Sequence, residues 1–139
     1  MISVDTNVLL RYLLEPRDSR NPSWQTDQAR QVIDRADSVY ITDVVLAELE
    51  WVLESVFELQ KTQIHSLIQT LSCNTRFQFE DWEALQCALI DYREYPSVDF
   101  SDCLIARRAH NKGSVTLYSF EKVSKLGALP VVTTLCETH

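Results

Sequence analysis

Residues 1–14 read MISVDTNVLLRYLL, a short apolar segment followed by leucines at positions 9, 10, 13 and 14. The leucine spacing is typical of an amphipathic helix, and the apolar segment before it is typical of a buried strand. Asp5 lies at the junction, where an aspartate can cap the helix. The stretch therefore predicts a strand–helix unit with a carboxylate at the carboxyl end of the strand.

The same alternation continues along the chain. The patterns predict strands at residues 1–5, 39–41, 77–79, 115–118 and 131–133, and helices at 6–14, 23–36, 42–57, 62–71, 81–95 and 99–112. Ser23 and Thr42 are the expected N-caps of the second and third helices, and Gly113 is the expected C-cap of the sixth. We expect one α/β domain over residues 1–139, a three-layer α/β/α fold with a short, mainly parallel central sheet. Ligands of such sheets bind at the carboxyl ends of the strands.

Composition excludes several classes of protein. The chain has 139 residues, 45% of them apolar, with two glycines and four prolines, which is typical of a globular protein. It contains neither the run of about 20 apolar residues that a membrane helix needs nor a basic leader segment, so we expect a cytoplasmic protein. The four cysteines form no C-x-x-C pair and predict no zinc site.

Charge is unevenly distributed. Residues 36–102 carry three basic against thirteen acidic side chains, whereas residues 103–127 carry five basic against one acidic. Such a protein can hold a metal ion in its acidic part and a polyanion in its basic part, although solvated helix faces give the same pattern. The candidate phosphate contacts in the basic part are Arg107, Arg108, Lys112, Lys122 and Lys125.

Glu48 is the first unusual acidic position. Its neighbours three and four positions away are Val44, Val45, Trp51 and Val52. This pattern predicts a carboxylate on the core-facing side of the helix, which needs a base or a cation as its partner. Glu50 is the rival position, but the nearby Glu54 indicates a wetter face, so the spacing favours Glu48.

Asp99 and Asp102 lie one turn apart at the start of the sixth predicted helix, where they can cap the helix or share a cation. Glu121 follows the fourth predicted strand. Together with Asp5 and Glu48 these side chains describe an all-oxygen site, which suits Mg²⁺ or Mn²⁺.

Four segments carry a family resemblance: residues 4–10 (VDTNVLL), 46–49 (LAEL), 98–106 (VDFSDCLIA) and 117–122 (LYSFEK). The sequence resembles the PIN-domain ribonucleases, and among them the VapC-type toxins of toxin–antitoxin pairs. The resemblance implies that Asp5, Glu48 and Asp102 form the principal acidic site, with Asp99 beside them. It also favours Glu48 over Glu50. Where the family most often has T-F-D, this chain has S-F-E at residues 119–121, so the carboxylate of Glu121 is one methylene further from the backbone.

The expected activity is metal-dependent hydrolysis of RNA, with Mg²⁺ or Mn²⁺ held by Asp5, Glu48, Asp99 and Asp102 and with Glu121 as a further carboxylate of the catalytic site. The expected RNA contacts are Arg107, Arg108, Lys112, Lys122 and Ser119. By resemblance, the partners would be RNA, an antitoxin that covers the acidic groove and a second copy of the chain.

Other functions remain open at this point. The same fold serves RNA-processing nucleases without an antitoxin and inactive RNA- or protein-binding PIN modules. A phosphatase of the haloacid-dehalogenase type would have a second aspartate at position 7, which is Asn7 here. A receiver domain would have an acidic pair near the first strand, where only Asp5 is present.

Overall fold

A computed structural model describes residues 1–15, 22–121, 127 and 129–137 of the protein. The elements in chain order are β1 (Ile2–Ser3), α1 (Thr6–Leu13), α2 (Ser23–Arg35), β2 (Val39–Ile41), α3 (Asp43–Ser55), α4 (Lys61–Cys73), β3 (Phe77–Phe79), α5 (Trp82–Glu94), α6 (Phe100–Asn111), β4 (Leu117–Ser119) and β5 (Val132–Thr134).

All strand pairs in the described residues are parallel. Strands β1, β2 and β3 form one sheet in that order, with Val39 opposite both Ile2 and Phe77. Strands β4 and β5 form a separate pair, with Leu117 opposite Val132. The helices that connect and follow these strands complete the predicted three-layer α/β/α arrangement, which is confirmed.

Most element boundaries follow from local capping chemistry. Thr42 accepts a hydrogen bond from the Val45 amide at 3.2 Å, as expected of an N-cap. Gly113 follows α6 with φ +104°, a backbone conformation that side chains with a Cβ rarely adopt. The prediction for Ser23 was wrong, because Ser23 is already helical and Pro22 occupies the cap position of α2. The φ of Pro22 is −68°, the value to which the proline ring restricts the backbone.

The core contains side chains from every helix. Six fully buried residues, one per helix, are Leu9, Ile33, Leu49, Ile68, Leu89 and Phe100. Burying an apolar side chain of this size contributes roughly 1.5–3 kcal/mol of transfer free energy. The core therefore holds the starts of α1, α3 and α6 in fixed positions beside the sheet.

A buried ion pair joins α5 to α6. Arg107 donates to Asp91 through Nε at 2.6 Å and through Nη2 at 3.0 Å. The Asp91 side chain is only 8% exposed and that of Arg107 29% exposed. The two-point contact satisfies both carboxylate oxygens, so the guanidinium is committed to the fold.

None of the helices in the described ranges has the length and apolar content that a transmembrane helix requires.

The substitution Arg107→Ala should lower the free energy of unfolding by about 3 kcal/mol, because it leaves the Asp91 carboxylate buried without its cation. Urea denaturation measures the change. Arg93→Ala, at an exposed position of α5, is the matched control and should have little effect. Equal stability of the two variants would mean that the ion pair contributes nothing to the fold.

Candidate active site

Asp5 lies at the carboxyl end of β1 and caps α1. Its Oδ1 atom accepts a hydrogen bond from the Val8 amide at 3.1 Å, and its backbone is extended, as an N-cap requires. The side chain is exposed. The capping bond fixes the direction of the carboxylate while leaving it accessible from solvent.

Glu48 faces the start of α1. Its Oε1 atom accepts a hydrogen bond from the hydroxyl of Thr6 at 3.2 Å, although the two residues are 42 positions apart. Since Thr6 follows Asp5 directly, this bond brings Glu48 of α3 beside the acidic end of β1.

The predicted burial of Glu48 was wrong. Glu48 is exposed, and its apolar neighbours Val44 and Trp51 are 67% and 65% exposed. The core-facing side of α3 carries Val45, Leu46, Leu49, Glu50 and Leu53. Val44 and Trp51 therefore lie on the surface whereas Val45 faces the core, and the buried glutamate of α3 is Glu50.

Glu50 is the buried carboxylate of α3, with 3% exposure. Its Oε2 accepts from the Phe100 amide at 2.5 Å, and its Oε1 accepts from the Ser101 amide at 2.8 Å. These are two of the amides that a helix start leaves without an intrahelical acceptor. Burial raises the pKa of Glu50, although the two amide donors oppose that shift. The spacing of Leu46, Glu50 and Leu53 on one helical face was the sequence signal for this position.

Asp99 and Asp102 lie at the start of α6. Asp99 has the extended backbone of an N-cap, but its side chain makes no capping hydrogen bond, because Glu50 occupies that role from α3. Its charge is close enough to contribute to the raised pKa of Glu50. Asp102 is half-buried in the first turn, near the positive end of the helix.

The four expected metal ligands form two pairs. Thr6 joins Asp5 to Glu48, and the first turn of α6 joins Asp99 to Asp102. In the described residues no three His, Cys, Asp or Glu side chains form a group that could hold a metal ion, and the assignment of all four carboxylates to one metal site stays a prediction. The donor set nevertheless fits a hard divalent cation, because all its ligand atoms are carboxylate oxygens.

Glu121 and Ser119 are linked locally at the end of β4. The Glu121 amide donates to Ser119 Oγ at 2.9 Å, and the Glu121 carbonyl accepts from the Thr134 hydroxyl at 3.1 Å. The Glu121 side chain is exposed. The Ser119 hydroxyl therefore shapes the turn that presents Glu121.

The two arginines predicted to contact RNA are engaged within the fold. Arg107 pairs with Asp91, and Arg108 pairs with Asp43 at 2.7 Å and with Asp81 at 3.1 Å. The sequence did not reveal these partners because they lie on other helices. Lys112 is exposed at the C-cap of α6, while Lys122 and Lys125 lie outside the described residues.

Comparison with known proteins identifies the fold family. A search of the curated proteins finds no match. The family model of the PIN domain matches residues 2–125, which include both pairs of carboxylates described above. PIN domains are generally metal-dependent nucleases. Because the match covers most of the chain, the protein belongs to the PIN-domain family.

Proposed function

We propose that the protein is a metal-dependent endoribonuclease and the toxin of a VapC-type toxin–antitoxin pair. The observation that carries the proposal is the Thr6–Glu48 hydrogen bond, which places a second exposed carboxylate beside Asp5 at the carboxyl end of β1. This is the edge at which parallel sheets bind ligands. Membership of the PIN family supports nuclease chemistry on RNA.

Four of the five carboxylates share one task in this proposal. Asp5, Glu48, Asp99 and Asp102 would hold Mg²⁺ or Mn²⁺, and Glu121 would approach from the end of β4. The bound cation would supply an activated water and neutralise charge on the scissile phosphate. Asp5 is held in place by the Val8 amide, and Glu48 by the Thr6 hydroxyl, so both are oriented before substrate arrives.

Lys112 is the first candidate for phosphate binding, because no ion pair between described residues engages it. Lys112 is exposed at the C-cap of α6, the helix that begins at the acidic residues. Lys122 and Ser119 are further candidates, because Lys122 follows Glu121 directly in the sequence and Ser119 precedes it by two positions. Arg107 and Arg108 act instead as structural cations that hold α6 against α3 and α5.

Exposed apolar side chains on α3 and α6 support a protein partner. Val44 and Ile105 are 67% and 52% exposed, and both line a pocket of about 250 Å³ between the two helices. An antitoxin or a second copy of the chain would bury them. The toxin half of the proposal is tested by asking whether the product of a small adjoining gene inhibits the purified nuclease.

Cleavage of RNA tests the nuclease directly. The purified protein should cut single-stranded RNA with Mg²⁺ or Mn²⁺ and should stop when EDTA is added. Asp5→Asn, Glu48→Gln and Asp102→Asn should each lower cleavage at least a hundredfold, because each removes a metal ligand. Glu83→Gln, at an exposed acidic position of α5, is the control and should cleave normally. Undiminished cleavage in EDTA would contradict the metal-dependent mechanism.

Metal should also stabilise the folded protein. A ligand that binds only the native state adds about 2.7 kcal/mol at a hundredfold excess over its dissociation constant, so the Tm of the wild type should rise with Mn²⁺. Asp102→Asn should show a much smaller rise, because the half-buried amide is a weaker metal ligand. Thermal melts with EDTA and with Mn²⁺ give both values. Equal shifts would mean that Asp102 only stabilises the helix start.

A further inference from the structure

A pocket of about 480 Å³ lies beside Asp5, between the end of β1 and the facing sides of α1 and α2. This volume is in the range of pockets that bind small organic groups. Asp5 belongs to the wall of the pocket and also to the proposed metal site. A molecule bound in the pocket would therefore extend directly to the reacting phosphate.

The lining of this pocket combines apolar surface with amide groups. Val8 and Val32 provide apolar surface, and Val32 is 52% exposed. Asn7, Gln25 and Gln28 add three side-chain amides. Amides both donate and accept hydrogen bonds, as the edges of nucleobases do, while the flat faces of a base pack on apolar side chains.

Charge favours an uncharged group such as a nucleobase over a basic or acidic side chain. Asp5 and Arg11 are the two charged residues of the pocket wall, and their charges cancel. Arg11 is oriented by a hydrogen bond from its Nε to Gln25 Oε1 at 2.8 Å. Asn7 and Gln28 are exposed on the two facing helices, so a base between them would meet polar groups on both sides.

We propose that this pocket binds the base of a nucleotide next to the scissile phosphate of single-stranded RNA and gives the enzyme its sequence preference. This inference rests on the proposed nuclease function and assigns the substrate subsite of the same site. Gln28 is the specificity-determining residue, because its amide is exposed on the α2 side of the pocket.

Cleavage of an RNA library with randomised positions around the cut tests the subsite. Wild type should prefer one or two bases at one position, and Gln28→Ala should reduce that preference about tenfold, the discrimination of a two-point amide contact. Gln31→Ala, exposed on α2 but outside the pocket, is the matched control. A Gln28→Ala profile identical to the Gln31→Ala profile overturns the subsite.

Binding separates this inference from the nuclease proposal. Four labelled pentanucleotides that differ in one base are titrated by fluorescence anisotropy against Asp102→Asn, with and without Gln28→Ala. We expect discrimination among the four bases and its loss with Gln28→Ala. If the protein discriminates among the four bases but the wild type cleaves no RNA, the nuclease proposal is contradicted and the subsite is not. Equal affinity for all four bases, or preference for a basic peptide over RNA, would overturn the subsite.

The contact between Glu50 and α6 carries a second, independent inference. The Glu50 carboxylate is buried and accepts from the Phe100 and Ser101 amides, which are the first two amides of the helix. Lys61 holds the preceding loop, because its Nζ donates to the carbonyl oxygens of Tyr95 at 3.0 Å and Val98 at 2.7 Å. Val98 and Phe100 flank Asp99 in the chain, so the contacts of Lys61 and Glu50 hold the backbone on both sides of Asp99.

The geometry points to Glu50 as a positioning residue for Asp99 and Asp102. By capping α6 from α3, Glu50 leaves the Asp99 side chain available and sets where the first turn of α6 lies. Misplacement of a reacting group by about 1 Å can cost as much as a hundredfold in rate. The inference rests on the proposed nuclease function, since Glu50 acts only through the two aspartates.

Kinetics and metal binding distinguish positioning from simple stability. Glu50→Ala should lower kcat about tenfold or more with little change in KM, and should weaken Mn²⁺ binding in calorimetry. Glu50→Gln keeps one acceptor oxygen and should recover part of both losses. Glu54→Ala, at an exposed position one turn further along α3, is the control.

The outcomes remain decisive if Glu50→Ala does not fold. Glu50→Gln, checked by circular dichroism, then carries the test and should still show a lower kcat and weaker Mn²⁺ binding than wild type. Wild-type kcat and Mn²⁺ affinity in a folded Glu50 variant would overturn the positioning role. A wild type that cleaves no RNA would contradict the nuclease proposal, while the Mn²⁺ titration would still decide the role of Glu50.

Discussion

One turn of α3 fixes the positions of two other helix starts. Glu48 binds the first residue of α1 through the Thr6 hydroxyl, and Glu50, two residues later, binds the first two amides of α6. The first contact lies at the surface and the second is buried. Because a helix is rigid over one turn, these two contacts set the separation between the acidic end of β1 and the acidic start of α6.

Ion pairs hold the rest of α6. Arg107 binds Asp91 of α5, and Arg108 binds Asp43 and Asp81, which lie at the starts of α3 and α5. These pairs neutralise the two guanidinium groups that were predicted to contact RNA. The basic segment therefore contributes first to packing, since five donors of a guanidinium can join several chain segments at once. In the described part of this segment Lys112, at the C-cap of α6, is exposed and lies outside these pairs.

Local chemistry made the elements predictable, while tertiary contacts decided the site. Strands β2 and β3 and the cap at Thr42 were predicted correctly because they depend on neighbouring residues. The burial of Glu48 was predicted wrongly because exposed apolar residues such as Trp51 have the same spacing in the sequence as the residues of a buried helix face. The acceptor role of Glu50 and the partner of Arg107 depend on residues 50 and 16 positions away, so no local pattern contains them.

Two helix starts offset part of the negative charge of the acidic residues that lie beside them. The N-termini of α1 and α6 both lie against the 48–50 turn of α3, and a helix N-terminus carries roughly half a positive charge. Asp5 at α1 and Asp102 at α6 each offset part of that charge. A cation held between them would offset the rest of the negative charge. Each of these helix starts thereby stabilises the ionised carboxylate at its own end, and at α6 the Glu50 carboxylate also accepts from the first two amides.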